Sequence, residues 1–291
     1  MSRYTIELTG TVTMQYDFDV LMGSINMLEK TDQLCFDFSR VGFVNPEMLI
    51  LMVTSSKLAY EKTQCPIVWI GLKPEVYSYL ERVNITSIQF LELKKPKEAR
   101  KFYRSPTQSN NLVEFSIITG WKEIGDAISK TKGVLNRWFP NKSTEYKRNL
   151  STLVKETVEN CIDHSGEHSS EGICYYAVQK YEHQNGKVEI HIAVGDVGVG
   201  MLTSLRRVHP ETKDDAEAIL GALVHGKSGR PSGRGGLGYV TIKEALANLN
   251  GSLTIRSGKA RVCYNSKYIS PHIYRQEPYY PGTQIIFRCG G

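Results

Sequence analysis

The stretch from Leu150 to Ile162 constrains this chain most. Leu150, Leu153, Val154, Thr157, Val158, Cys161 and Ile162 fall at i, i+3, i+4, i+7, i+8, i+11 and i+12, the spacing of an amphipathic helix with one buried stripe. Glu156, Asn160 and His164 are four apart, and each step of four turns the helix face by about 40°. The three therefore form a polar strip along the border of the apolar stripe. A strip so placed can line a cleft while its helix stays anchored in a core.

Two further stretches follow. Asn185-Gly186 separates two strand-like runs, a strong hairpin signal. In the second run Val188, Ile190, Ile192 and Val194 share one face, and Asp196 falls in phase with them. An inward carboxylate is costly unless something donates to it. Gly198 and Gly200 let the backbone turn sharply just beyond it. The third stretch, Gly233-Arg-Gly235-Gly236-Leu-Gly238, opens a helix from Leu237 to Leu249, and glycine amides at a helix N-terminus suit a phosphate.

Three matches to known motifs lack their structural context. Gly221 to Ser228 fits GxxxxGKS, but Asp214 to Val224 reads as a helix where a P-loop needs a strand. Gly233 to Gly238 fits GxGxxG with no strand before it. His164-Ser-Gly-Glu167-His168 fits HxxEH across what reads as a helix end and loop.

In order and spacing the three stretches resemble the N, G1 and G2 boxes of the GHKL superfamily, which includes histidine kinases, gyrase B, MutL, heat-shock chaperone ATPases and anti-sigma-factor serine kinases. The resemblance implies a Bergerat-type α/β sandwich that binds ATP with Mg²⁺. It implies Glu156 as general base, Asn160 as metal ligand and Asp196 as acceptor from the adenine amino group. It gives Gly235, Gly236 and Gly238 phosphate contacts, with Gly198 and Gly200 beside the ligand. Residues 201–234 match the ATP lid, where Lys227, Ser228, Arg230 and Arg234 are candidates to reach the γ-phosphate. Gly282-Thr283 to Phe287 resembles the last strand, whose Thr helps hold adenine through water. Glu at the first box position is similar to the ATPases and anti-sigma kinases, and His164 matches a position in the latter. Residues 265–281 read as an insertion.

The length of 291 residues suggests two domains. Tyr4 to Met14 alternates as a strand. Leu34 to Phe38, Ile67 to Gly71 and Ile88 to Leu93 read as strands, with helices from Pro46 to Lys62 and from Pro74 to about Val83. These alternating elements imply an α/β sandwich. Phe36 to Val44 leading into the Pro46 helix, then Pro66 to Gly71, resemble a STAS domain over residues 1–93. Antagonists of that family carry a phosphorylatable Ser after an Asp at the helix start. Asn45-Pro46-Glu47 stands here instead, so docking or structure is expected rather than phosphoswitching. A strand from Leu112 to Ile118 and a helix from Trp121 to Phe139 open the second domain, 112–291.

The charge balance, 36 basic against 30 acidic residues, is +6. Lys94, Lys95, Lys97, Arg100, Lys101 and Arg104 concentrate part of it. Pro96, Pro106 and the polar run 107–111 read as a solvated linker, 94–111, rather than a nucleic-acid patch. No run suits a membrane span and no leader is visible, so a cytoplasmic protein with reduced cysteines is expected. Three readings of function stay open. One is a slow ATPase or ATP-gated switch acting on a protein partner through the STAS-like domain or lid, with homodimerisation allowed. Another is a serine/threonine kinase of the anti-sigma type, and the last is a non-catalytic ATP scaffold or nucleic-acid module. A sensor histidine kinase is disfavoured, since no dimerisation helix pair with a phosphoacceptor His precedes the domain.

Overall fold

A computed structural model describes residues 2–10, 15–97, 112–165, 172–230, 236–268 and 270–290. The protein is a mixed α/β molecule with one parallel and one antiparallel sheet. It divides into two compact units, Met1–Phe115 and Ser116–Gly291.

The first unit runs β1 (Arg3–Glu7), α1 (Gln15–Met27), β2 (Gln33–Asp37), α2 (Pro46–Thr63), β3 (Ile67–Ile70), α3 (Pro74–Arg82), a 3₁₀ turn (Ile85–Ser87) and β4 (Leu91–Leu93). The four strands are parallel and in sequence order. Parallel strands need crossover connections, and the intervening helices supply them. Helix α2 starts where Asn45 Oδ1 accepts from the Met48 amide at 2.8 Å, with Pro46 in its first turn. Met48 to Val53 are all buried, so this helix is core on every side there. Trp69 is fully buried, and its indole N–H donates to Ser56 Oγ at 3.2 Å.

Two expectations for this unit are corrected. The first strand stops at Glu7 rather than continuing to Met14, while Val12 and Met14 lie outside the described residues. Helix α1 follows, and Phe18, Leu21, Met22 and Ile25 bury the stripe that stabilises it. The last strand is shorter than residues 88–93, because Ile85–Ser87 form a 3₁₀ turn before it.

The second unit contains α4 (Trp121–Trp138), α5 (Thr144–Ser165), β6 (Cys174–Glu182), β7 (Val188–Gly195), α6 (Gly200–Arg206), α7 (Asp215–His225), α8 (Leu237–Asn248), β8 (Ser252–Asn265) and β9 (His272–Gly290). Strand β5 (Leu112–Ile118), at the division between the units, joins its sheet, whose order is β5-β6-β7-β9-β8. Strands β6, β7, β9 and β8 pair antiparallel. The turn at Asn185-Gly186 closes the β6–β7 hairpin as expected, with Gly186 at φ +75°. Helices α5, α6 and α7 pack against the sheet, and α5 also packs on α4 and α8. The stripe of α5 is buried, with Leu150, Leu153, Val154 and Val158 at 0% exposure.

The supposed insertion at 265–281 is largely strand. From His272 onward β9 pairs with β8, Cys263 opposite His272 and Ala260 opposite Arg275. Strand β8 likewise runs unbroken through Gly258, where the register shifts. Buried Glu277 anchors the pair through Arg261 at 3.2 Å, and Arg256 donates to Gln284 at 2.9 Å.

Candidate functional site

The polar strip of α5, the end of β7, the α6–α7 segment, the start of α8 and the Thr283 region of β9 surround one cavity of about 80 Å³. Its lining includes Asn160, Asp196, Gly200, Lys227, Ser228, Gly236, Gly238 and Thr283. Eight residues singled out from dispersed sequence stretches are therefore brought to one place. Arg234 and Gly235 lie outside the described residues, as do Gly233, Glu167, His168, Arg100, Lys101 and Arg104.

Asp196 sits at the end of β7 with 4% of its surface exposed. Its Oδ1 accepts from the Gly198 amide at 2.8 Å and the Thr283 amide at 3.2 Å. Gly198 is absent from the cavity wall and serves through that amide instead. Burial pushes the Asp196 carboxyl up to about 7, against the opposing pull of the Gly198 and Thr283 amides and the Cys161 thiol. Both amides use Oδ1, which leaves Oδ2 as the acceptor for other donors. The backbone of Thr283 accepts from the Asp196 amide at 2.9 Å, so β7 and β9 fix the carboxylate from both sides. Gly282 is required here. Its φ is +85°, and a Cβ on it would meet Asp196 O at 2.4 Å and Oδ1 at 2.7 Å.

The polar strip is split in its roles. Asn160 and His164 line the cavity, whereas Glu156 does not. Glu156 stands at its border. A Cβ on Gly238 would lie 3.3 Å from Glu156 Oε2 and 3.4 Å from Asn160 Nδ2, so the third stretch runs directly past the first. Lys155 Nζ is 3.2 Å from Glu156 Oε1 and 3.3 Å from Glu159 Oε2. Gly236, at φ +92°, leads into α8, and a Cβ there would overlap Gly226 O at 1.8 Å. Gly236 therefore passes directly against Gly226, the left-handed cap of α7.

The match to GxxxxGKS is structural coincidence. Gly221 to His225 lie within α7, and the Lys227 amide returns to Gly221 O at 2.9 Å as part of the cap. Lys227 nonetheless reaches the cavity, and its Nζ pairs with Glu211 at 3.1 Å. Arg230 forms an ion pair with Asp163 of α5.

Several wall residues escaped sequence reasoning. Thr157 and Cys161 belong to the apolar stripe by spacing, yet both line the cavity. Ser204 of α6 is buried, and its hydroxyl is 2.9 Å from His164 Nδ1, which ties α6 to α5. Tyr239 and Met201 also line the cavity, and burial raises the Tyr239 phenol. Behind the wall, Ser257 of β8 is fully buried, and its Oγ donates to Gly282 O at 2.8 Å and accepts from the Met201 amide at 2.9 Å. No local motif marks Ser204, Ser257 or Tyr239, because their contacts are made only when distant strands and helices meet.

Chemically, the wall offers a buried carboxylate oxygen for an amino donor. It also supplies apolar surface from Val194, Leu205, Ala218, Ala222 and Ile285, and a polar group of Asn160, Lys227, Ser228 and the glycine backbone at the start of α8. Among the described residues no three His, Cys, Asp or Glu side chains are grouped to hold a metal by themselves. No described helix is long and apolar enough to cross a membrane. No protein-family model matches the chain, and no curated protein does.

Proposed function

We propose that the second unit is a Mg²⁺-dependent ATP-binding domain of the GHKL type, working as a slow ATPase or ATP-gated switch on a protein partner. The observation that carries this reading is the gathering of Asn160, Asp196, Lys227, Gly236, Gly238 and Thr283 around one cavity.

In this reading Asp196 Oδ2 accepts from the adenine amino group while Oδ1 stays on its two amides. Apolar wall residues cover the purine faces. Lys227, Ser228 and the amides at the start of α8 take the phosphates, aided by the positive end of that helix. Mg²⁺ fits the residues present. A hard cation that keeps its waters needs one protein oxygen besides phosphate oxygens, and Asn160 Oδ1 supplies it. The ion would neutralise charge developing on the phosphates. Glu156, beside Asn160 and Gly238, orients a water or hydroxyl and accepts its proton. The STAS-like first unit is then a docking module. Its helix α2 begins with Asn45 as a cap, with no hydroxyl for phosphorylation at that turn.

A kinase acting on a separate protein is the second reading, favoured by the Glu156-Asn160-His164 strip. One assay separates the two. Purified protein with Mg²⁺ and γ-labelled ATP is followed for free phosphate and for protein-bound label, with Glu156→Ala as control. Free phosphate that disappears in the variant supports the ATPase or switch. Label on added cell proteins supports the kinase. Equal turnover in Glu156→Ala removes Glu156 as base.

A further inference from the structure

Helices α4 and α5 line a second cavity, of about 400 Å³, with no strand residue in its wall. Its lining holds four cations, Lys132, Lys147, Arg148 and Lys155, and no acid. Lys147 and Lys155 lie on the same face of α5, two steps of four apart, with Arg148 in the adjoining row. Lys132 faces them from α4. Lys132, Lys147 and Arg148 make no ion pair among the described residues. Lys155 alone is paired, to Glu156 at 3.2 Å and Glu159 at 3.3 Å. Like charges crowded around a concavity raise its potential and draw in an anion. Thr144 and Thr152 add hydroxyl donors to the wall. No aromatic side chain lines the cavity, so it lacks the stacking platform of a single-stranded nucleic-acid groove. A concave site of this size suits a small molecule.

We propose that this groove binds a small ligand carrying several phosphate groups, and that the bound ligand competes with Glu156 and Glu159 for the Lys155 ammonium. Release from Lys155 frees the Glu156 carboxylate to orient the nucleophile, so an occupied groove stimulates turnover. The binding stands by itself; the stimulation rests on Glu156 being the base of the ATP site.

Calorimetry of the full-length protein with inorganic tripolyphosphate tests the binding, using wild type, the double variant Lys132→Gln/Arg148→Gln, and Lys227→Ala. Lys132 and Arg148 are exposed, so their replacement spares the core. We expect the double variant to weaken binding about tenfold or more, the scale of two lost charge contacts, with Lys227→Ala close to wild type. Undetectable binding, or a loss confined to Lys227→Ala, overturns the groove as the site. So does a Glu-rich peptide that binds in a groove-dependent way where tripolyphosphate does not, which would assign the groove to an acidic protein segment. With Mg²⁺ in excess, saturating tripolyphosphate should raise ATP turnover severalfold. Unchanged turnover overturns the coupling. Loss of tripolyphosphate binding with ATP binding intact counts against the groove alone. Loss of ATP binding with tripolyphosphate binding intact counts against the nucleotide site alone.

Discussion

Asp196 is a carboxyl with 4% exposure, raised to about 7 by burial. Moving it that far from 3.8 puts a penalty on its charge on the order of 4 kcal/mol. The penalty has a definite sign. The buried carboxyl favours its neutral form, so its contribution to stability is full below about 3.8 and is lost as pH rises through about 7. Asp196→Asn keeps an acceptor for the Gly198 and Thr283 amides without the charge. Denaturant unfolding should show wild type losing about 2 to 3 kcal/mol relative to that variant between about pH 5 and pH 8. A constant difference across that window would mean the carboxyl is not held neutral. Binding of an amino donor favours the ionised form, so adenosine should bind wild type more tightly as pH rises through 7. Adenosine avoids the titration of a terminal phosphate. Asp196 was legible in the sequence because its phase in β7 aimed it inward. Its second support, Gly282, was not, since the close approach that forbids a Cβ there exists only once β9 lies beside β7.

Helix α5 presents a different balance between pattern and context. Its stripe and polar strip follow from spacing alone, and Leu153→Ala in that stripe should cost about 2–5 kcal/mol in denaturant unfolding. A cost below about 1 kcal/mol would mean the site collapses without a cavity. The spacing did not reveal which strip residues face the cavity, because that depends on how α8 crosses α5 at Gly238. Helix α1 and the long strand β9 show the reverse failure. The alternation after Tyr4 extended the first strand past Glu7 and hid the start of α1. The tyrosine-rich stretch before Gly282 read as an insertion because the Gly258 bulge that lets β8 run on is visible only in the pairing. In the α6–α7 segment, Lys227 is held by the exposed Glu211, and a triphosphate reaching Lys227 must displace that carboxylate. Glu211→Gln should therefore tighten ATP binding about two- to fivefold, the scale of an exposed ion pair. Unchanged affinity would separate Lys227 from the phosphates.

At the scale of the molecule, each unit has its own sheet and its own buried core. Every residue lining the candidate site falls between Thr157 and Ile285, within the second unit. The alternation of strand and helix patterns made the α/β class of the first unit readable, and its buried parallel strands carry continuous apolar runs such as Leu34 to Phe36. The order of the antiparallel sheet was not readable, because β9 inserts between β7 and β8. A fragment of residues 112–291 should keep ATP affinity within about threefold of the full chain. A large loss would mean that the first unit contributes to the site.

The most direct test of the central claim is calorimetric titration of ATP and Mg²⁺ into wild type and Asp196→Asn. Binding should be about 10- to 100-fold weaker in the variant, the scale of a lost charge-assisted hydrogen bond, with Lys227→Ala losing much less. Equal affinity in wild type and Asp196→Asn would contradict the adenine assignment. Complete loss in Lys227→Ala alone would return the GxxxxGKS stretch to consideration.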